Sequence, residues 1–489
     1  MKTQGCLSKF QTPTRHCFHR VNIFLLCSLA IIAGCKQSND EAKKVKRVEA
    51  QLDLPAASAD QKKSADNQLD WEITTLVDAY DKVGSKNKKW DGPARDALKF
   101  YAKTRAYGTD IEGFPGVLSA YVSRAIELGC DDPLIKYLYV RFVLDGNRPQ
   151  EQLAQAYSEA ADGLQRSEYP PIRKLMANIG AAVMLSNIRP LPSSIQTYQD
   201  GATEALCGVL KDKNTPIAEV DDLGHEFLGM IKDWQDKKGR YDRVDELLIK
   251  NWSKSGVTFV LRGEFYFDYA WSGRSHKTAD KVTKEQWKLF AERLAETEKI
   301  VNVGMEIAPK EGRLPSLMIR VAGGQNKGLP EMRNWWEKAM EADPNSFQAC
   351  ANLLNYLLPR WYGSREAMVA FGRECLNSEK FGGTVPLVLA EAHDKYNYYD
   401  GATDGSYWKQ PDVWPDIRDS YEKFFKLNPN AHGWRHNYAR YAYWCGQWEA
   451  LQEQLKLMGD DINYDFFGGR AEFEKMVKLA DSHTKDAKQ

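Results

Sequence analysis

Apolar residues recur at helical spacing between Glu331 and Cys375 more regularly than elsewhere in the chain. The first of these positions are Met332, Trp335, Trp336, Ala339 and Met340. Steps of three and four residues are typical of a helix that buries one face. Asp343 precedes Pro344, and a proline disfavours helical geometry in the residue before it. The pattern therefore predicts one amphipathic helix that ends at this proline.

Two more helices are expected directly after it. One runs from Phe347 to Leu358, before Pro359. Ser364 is a typical N-cap residue and predicts the start of the next helix. That helix carries, on one side, Met368, Phe371 and Cys375. Helix, turn with proline, helix is the pattern of a tetratricopeptide-type repeat, which is about 34 residues long.

The proline position recurs along the chain. Pro309 precedes Pro344 by 35 residues (344 − 309 = 35), and Pro429 follows it by 85 (429 − 344 = 85). The larger distance is two and a half periods, so an extra helix or loop is expected there. After Pro429, the run CGQWEAL (Cys445 to Leu451) has the Gly-x-aromatic pattern of a turn between paired helices. These segments resemble TPR-like repeats, which implies an all-α superhelical array of helical hairpins.

The rest of the chain from Trp71 is almost entirely amphipathic segments broken by Gly, Pro or Asp. Pro133, Pro170 and Pro216 are expected to open successive units. The run from Gly256 to Tyr269 is rich in Val, Phe and Tyr and is expected to be extended. We interpret it as the boundary between an N-terminal helical region and a C-terminal TPR-like domain. The predicted regions are 71–250, 251–480 and a polar tail, 481–489.

Two segments carry a further resemblance. RGEFYFDYAWSGR (Arg262 to Arg274) and LLPRWYGSREAMVAFGREC (Leu357 to Cys375) resemble an uncharacterised bacterial domain, number 4034 among domains of unknown function. The likeness covers roughly Arg240 to His393. It implies no known activity.

The first 34 residues have the pattern of a signal peptide, with a basic region before an apolar run, Val21 to Ala33. The run ends Ile-Ala-Gly-Cys, which resembles the lipobox of bacterial lipoproteins. The resemblance implies that Cys35 is acylated and anchors the protein to a lipid bilayer. Lys36 after the cysteine implies an outer-membrane location in the cell envelope. The alternative is an ordinary signal peptide with a chance cysteine.

Residues 35–70 are polar and poor in large apolar residues, which predicts a disordered tether. The chain as a whole has a formal net charge of zero, so nothing points to nucleic acid as a partner. Neither a cofactor nor a metal is expected, because the phosphate-binding, nucleophile-elbow and HExxH motifs are absent. On the same ground we expect no catalytic activity.

Among the cysteines, Cys350 and Cys375 are expected at one end of a helical hairpin, which would allow a disulfide. Two buried thiols are the alternative. The TPR resemblance and the proline register also imply a partner-binding groove on the inner wall of the array. Its expected residues are Arg320, Asn355, His436, Arg440 and Tyr443. A solvated polar face is the alternative.

An aromatic segment from Tyr396 to Trp414 interrupts the helices and predicts a ligand loop. Its candidate residues are Tyr398, Tyr399, Tyr407, Trp408 and Trp414. A loop packed on its own rings is the alternative. Together the patterns favour an envelope-anchored scaffold that binds an unidentified protein or peptide. The alternatives are a glycan- or nutrient-binding surface lipoprotein with a SusD-like role, and an enzyme whose site has no recognised motif.

Overall fold

The computed structural model describes residues 59–108, 111, 113–144, 148–275, 277–401 and 404–486. Throughout these residues the chain is helical, with no strand, and each helix packs mainly on its neighbours in sequence. The all-α prediction is confirmed. The predicted signal peptide, the lipidation site Cys35 and the first part of the tether lie outside the described residues. No helix within the described ranges is both long enough and apolar enough to cross a membrane.

Contacts divide the chain into two units that meet in sequence between Ser253 and Lys254. The helices of the first unit are α1 Ala59–Ile73, α2 Ala79–Val83, α3 Asp91–Tyr107, α4 Gly116–Glu127, α5 Pro133–Phe142, α6 Gln150–Gln165, α7 Pro171–Ser186, α8 Ile195–Lys211, α9 Ile217–Ile231 and α10 Lys237–Trp252. From α3 to α8 each helix packs on the next, and α8 also packs on α10. A π-helical turn, Thr74–Asp78, joins α1 to α2.

The second unit begins with a helix, where an extended segment was expected. Its helices are α11 Gly256–Arg274, α12 Lys284–Ile307, α13 Arg313–Gly324, α14 Leu329–Ala342, α15 Phe347–Tyr356, α16 Arg365–Asn377, α17 Val388–Asp400, α18 Val413–Leu427, α19 Arg435–Cys445, α20 Trp448–Met458 and α21 Arg470–Asp486. Four close pairs are α11 with α12, α13 with α14, α16 with α17, and α19 with α20. Four helices, α15 to α18, lie in the interval of 85 residues between Pro344 and Pro429.

Three hydrogen bonds in this unit each join residues 36 positions apart. The Asn352 amide donates to the Ser316 carbonyl at 3.1 Å. The Tyr356 hydroxyl donates to the Arg320 carbonyl at 3.1 Å, and the Tyr362 hydroxyl donates to Asn326 at 2.6 Å. Helices α13 and α15, with the loops that follow them, therefore align at a constant offset of 36 residues.

The pattern that predicted α14 and α16 is confirmed. Met332, Trp336 and Ala339 are buried in one core, to which α16 contributes Met368 and Phe371. The Ser364 side chain accepts a hydrogen bond from the Ala367 N–H, as expected of an N-cap. Helix α14 ends at Ala342, directly before Asp343 and Pro344.

Two sequence expectations are wrong. The run from Gly256 to Tyr269 lies in a 19-residue helix, because Ser255 caps it and it is buried on several sides against α12 and α13. Burial all round removes the helical period that a one-sided helix would show. The predicted tether is helical from Ala59, since α1 packs on α3 and buries Gln68. The polar segment from residue 481 belongs to α21 as far as Asp486.

Candidate functional site

A short 3₁₀ turn, Ser406–Lys409, lies between α17 and α18. Gly405 precedes it with φ of 74°, in the left-handed region that favours glycine. Tyr407 and Trp408 are 1% and 5% exposed, whereas Lys409 is exposed. The turn therefore inserts two rings into the core and leaves a lysine at the surface.

A chain of hydrogen bonds fixes this turn to its neighbours. The Tyr407 hydroxyl lies 2.8 Å from His393 Nδ1, and His393 Nε2 lies 3.0 Å from Asp416 Oδ2. Arg373 donates to both Asp416 oxygens at 2.9 Å. Burial acts to raise the pKa of Asp416, but the hydrogen bonds from His393 and Arg373 hold it below its ordinary value. Each ring nitrogen of His393 therefore has one hydrogen-bond partner.

A pocket of about 300 Å³ opens beside the turn. Helices α19, α20 and α21 supply the rest of its wall. The main lining residues are Trp408, Lys409, Tyr443, Trp444, Trp448 and Leu479. This volume is at the lower end of the range for ligand pockets, so the pocket suits one side chain or a group of that size.

The rings of the wall pack on one another. Trp444 lies 5.2 Å from Trp408 and 5.5 Å from Tyr441 between ring centroids. His483 stacks on Trp448 at 4.6 Å with an angle of 6° between the ring planes. The pocket therefore has a rigid apolar wall, and part of the ring surface is already covered by other rings.

Lys409 is the cation of the pocket. Its ammonium lies 5.8 Å from the Trp448 ring centroid. The ammonium also lies close to Gly446, which ends α19 in the left-handed conformation with φ of 74°. Within the described part of the chain, Lys409 makes no ion pair.

Two half-buried residues of opposite charge make no ion pair with described residues, and one of them lies over Trp444 of the pocket wall. Asp394 belongs to α17 and Arg440 to α19. The Arg440 guanidinium lies over the Trp444 ring at 5.0 Å, and its Nε is buried without a hydrogen-bond partner among the described residues. Burial and the charge of Glu391 raise the pKa of Asp394 to about 6, although Arg440 opposes this. Neither group makes an ion pair with a described residue, and Arg440 Nη2 donates a hydrogen bond to Asn437 Oδ1 at 3.3 Å.

Of the predicted groove residues, the structure places Arg440 and Tyr443 at this site. Arg320 instead pairs with Asp268 at 3.5 Å, and Asn355 is half-buried on α15. The expectation for His436 is wrong. It is 7% exposed, because its Nε2 accepts from the Asn463 N–H at 3.0 Å and its ring packs on Phe466 and Phe467.

The predicted aromatic loop does not form one exposed surface. Tyr398 and Tyr399 are 83% and 41% exposed, whereas Tyr407 and Trp408 are buried. Trp414 stacks on Tyr438 at 5.8 Å with an angle of 13°. The hydrogen bonds of Tyr407 and the packing of Trp408 on α19 turn the middle of the loop inward. Only Trp408 of the five lines the pocket.

Cys350 and Cys375 are buried thiols in the structure, with their sulfurs 3.8 Å apart. The Trp336 indole N–H donates to the Cys350 sulfur at 3.4 Å. A disulfide between the two cysteines stays a prediction, which non-reducing peptide mapping would test.

The first unit contains a second cluster of charges, which the sequence analysis did not identify. Arg105 donates to Glu72 at 2.9 Å and to both Glu219 oxygens at 2.9 Å. Arg173 donates to Glu72 and to Thr75. Glu72 and Glu219 are 0% and 3% exposed. These contacts join α1, α3, α7 and α9.

Sequence reasoning also missed Asp394, Lys409, Trp444, Trp448 and Leu479. Their helices are 388–400, 435–445, 448–458 and 470–486, with Lys409 in the turn. Trp448 alone had a local pattern, in the turn CGQWEAL. The other four residues come together only through the packing of their helices, which no local sequence pattern indicates.

Comparison with known families gives one result. The model described as "Domain of unknown function (DUF4034)" matches residues 306–377. The chain contains a DUF4034 domain. The match covers α13 to α16 and is narrower than the likeness seen in the sequence, since it includes the Pro-Arg-Trp turn but not Arg262 to Arg274. The aromatic pocket lies outside it. A search of curated proteins finds no match to the chain.

Proposed function

We propose that this protein is an envelope-anchored, TPR-like scaffold whose second unit binds an extended segment of a partner protein. The lipobox pattern at Cys35 supports the anchor, and the proline register with the 36-residue hydrogen-bond interval supports the repeat. No catalytic step is part of the proposal.

The observation that carries the binding role is that half-buried Asp394 and Arg440 have no ion-pair partner among the described residues, and that Arg440 Nε is buried without an acceptor there. Half-burial makes a charge unfavourable unless it is paired or hydrogen-bonded. An extended peptide offers N–H donors to a carboxylate and C=O acceptors to a guanidinium. A partner backbone on α17 and α19 would satisfy both groups at once, and the neighbouring pocket would accept one of its side chains.

The test is a cross-linking pull-down from native envelopes with an Asp394→Asn/Arg440→Gln double variant. We expect a partner protein that wild type recovers and the variant loses. The matched control is Arg418→Gln/Asp419→Asn, because that pair is exposed and its members already bond to each other. Recovery of the same proteins with all three forms would refute the role of Asp394 and Arg440.

A second candidate is glycan binding, which the exposed rings of Tyr398 and Tyr399 favour. Exposed aromatic side chains on a loop or helix end can stack on sugar rings. A glycan array probed with wild type and with Tyr398→Ala/Tyr399→Ala would test it. Binding lost in the double variant would support this candidate, and no bound glycan would exclude it.

A further inference from the structure

The aromatic pocket has a chemistry more specific than the binding role proposed above, on which this inference rests. Trp408, Tyr443, Trp444 and Trp448 make its wall apolar, and Lys409 places a cation against the Trp448 ring. We propose that the pocket takes one large apolar side chain of the partner, with a carboxylate next to it held by Lys409.

The size and the walls of the pocket determine the apolar part of the ligand. A volume of about 300 Å³ is enough for a single large side chain. His483 covers one face of Trp448, and Trp444 packs on Trp408 and Tyr441. An aliphatic or aromatic side chain entering such a preformed pocket loses water contact without reorganising the wall.

Lys409 determines the polar part of the ligand. The other charged lining residue, Asp404, already accepts hydrogen bonds from the Ser406 N–H at 3.0 Å and hydroxyl at 2.7 Å. Lys409 has no such bond with a described residue, and its ammonium lies against the Trp448 ring. An ammonium on an apolar wall favours an anionic partner, and a carboxylate is the anion that protein chains carry.

The carboxylate has two sources, an acidic side chain or the C-terminus of the partner. Labelled peptides can distinguish them by fluorescence anisotropy with the full mature protein. One blocked set carries leucine, phenylalanine or tryptophan followed by aspartate, and a second set has asparagine in place of aspartate. A third set ends in the same apolar residues with a free C-terminal carboxylate.

We expect saturable binding of the aspartate set or the free C-terminal set, about tenfold tighter than the asparagine set, since a charge-assisted hydrogen bond is roughly twice as strong as a neutral one. Lys409→Met should remove this difference and leave the weak binding of the asparagine set unchanged. Leu479→Trp should block all binding by filling the pocket from an exposed position on α21.

Leu457→Trp is the matched control, because Leu457 is 48% exposed on α20 and does not line the pocket. Equal binding of aspartate, asparagine and free C-terminal peptides, all blocked by Leu479→Trp, would overturn the role of Lys409 and keep the pocket. No binding by any peptide, or binding unaffected by Leu479→Trp, would overturn this inference. The pull-down with the Asp394 and Arg440 variant would then still decide the proposed function separately.

Discussion

In the first unit, Glu72 and Glu219 are almost inaccessible to solvent, and each carboxylate is bonded to an arginine. In the second unit, Asp394 and Arg440 are half-buried and neither has an ion pair among the described residues. Buried charges that satisfy one another hold helices together, whereas half-buried charges left unpaired remain available to a ligand. The difference distinguishes a structural cluster from a candidate binding site within one helical protein.

The largest effect is expected from Arg173→Met in the first unit. It leaves Glu72 with one arginine in a site that is 0% exposed, so the free energy of unfolding should fall by about 3–5 kcal/mol. Hydrogen exchange of the α7 amides would measure this. Arg243→Met is the control, because its ion pair with Glu204 is exposed and should contribute less than about 1 kcal/mol. An equal loss of unfolding free energy in the two variants would show that the charge cluster of the first unit does not stabilise the fold.

A smaller loss is expected from Tyr407→Phe in the second unit. The change leaves His393 Nδ1 buried without its hydrogen-bond partner, which costs about 1–3 kcal/mol of unfolding free energy. Denaturant unfolding followed by hydrogen exchange in α17 would measure it. Tyr398→Phe is the control, since that side chain is 83% exposed and should change stability little. An unchanged unfolding free energy in Tyr407→Phe would contradict the role of the hydrogen bonds that link Tyr407, His393 and Asp416.

The smallest expected change in the free energy of unfolding is a gain rather than a loss. Because the folded pKa of Asp394 is raised from 3.8 to about 6, the folded state binds more protons in that range, and stability falls as pH rises through it. Asp394→Asn should therefore stabilise the protein at pH 7, by about 1–2 kcal/mol after allowance for its partial exposure.

Thermal melting at pH 3 and pH 7 would test this prediction, since both forms are neutral at the lower pH and should melt alike. Asp419→Asn provides the comparison, because its carboxylate is exposed and bonded to Arg418. If Asp394→Asn destabilises the protein at pH 7, Asp394 has a structural partner and the contrast between the two units fails.

Helix positions were predictable where one face is buried. The spacing of Met332, Trp336 and Ala339 and the cap at Ser364 led to correct helices, because a one-sided core imposes the helical period on the sequence. The same reasoning failed for Gly256 to Tyr269, where burial on several sides removes the period.

The site was predictable only in part. Arg440, Tyr443 and Trp408 were named from register and composition, and they lie at the site. His436 and Tyr407 were named for the same reasons and are buried, because each meets a hydrogen-bond partner from another element.

By itself, the sequence determined that the protein is helical and where many helices start and stop, since period, caps and prolines act through neighbouring residues. Only the tertiary structure decided which charges are paired. Arg173 reaches Glu72 across 101 positions, whereas Asp394 and Arg440, 46 apart (440 − 394 = 46), approach without bonding. Pairing depends on distances of a few ångströms between side chains from different helices, and no local pattern encodes these distances.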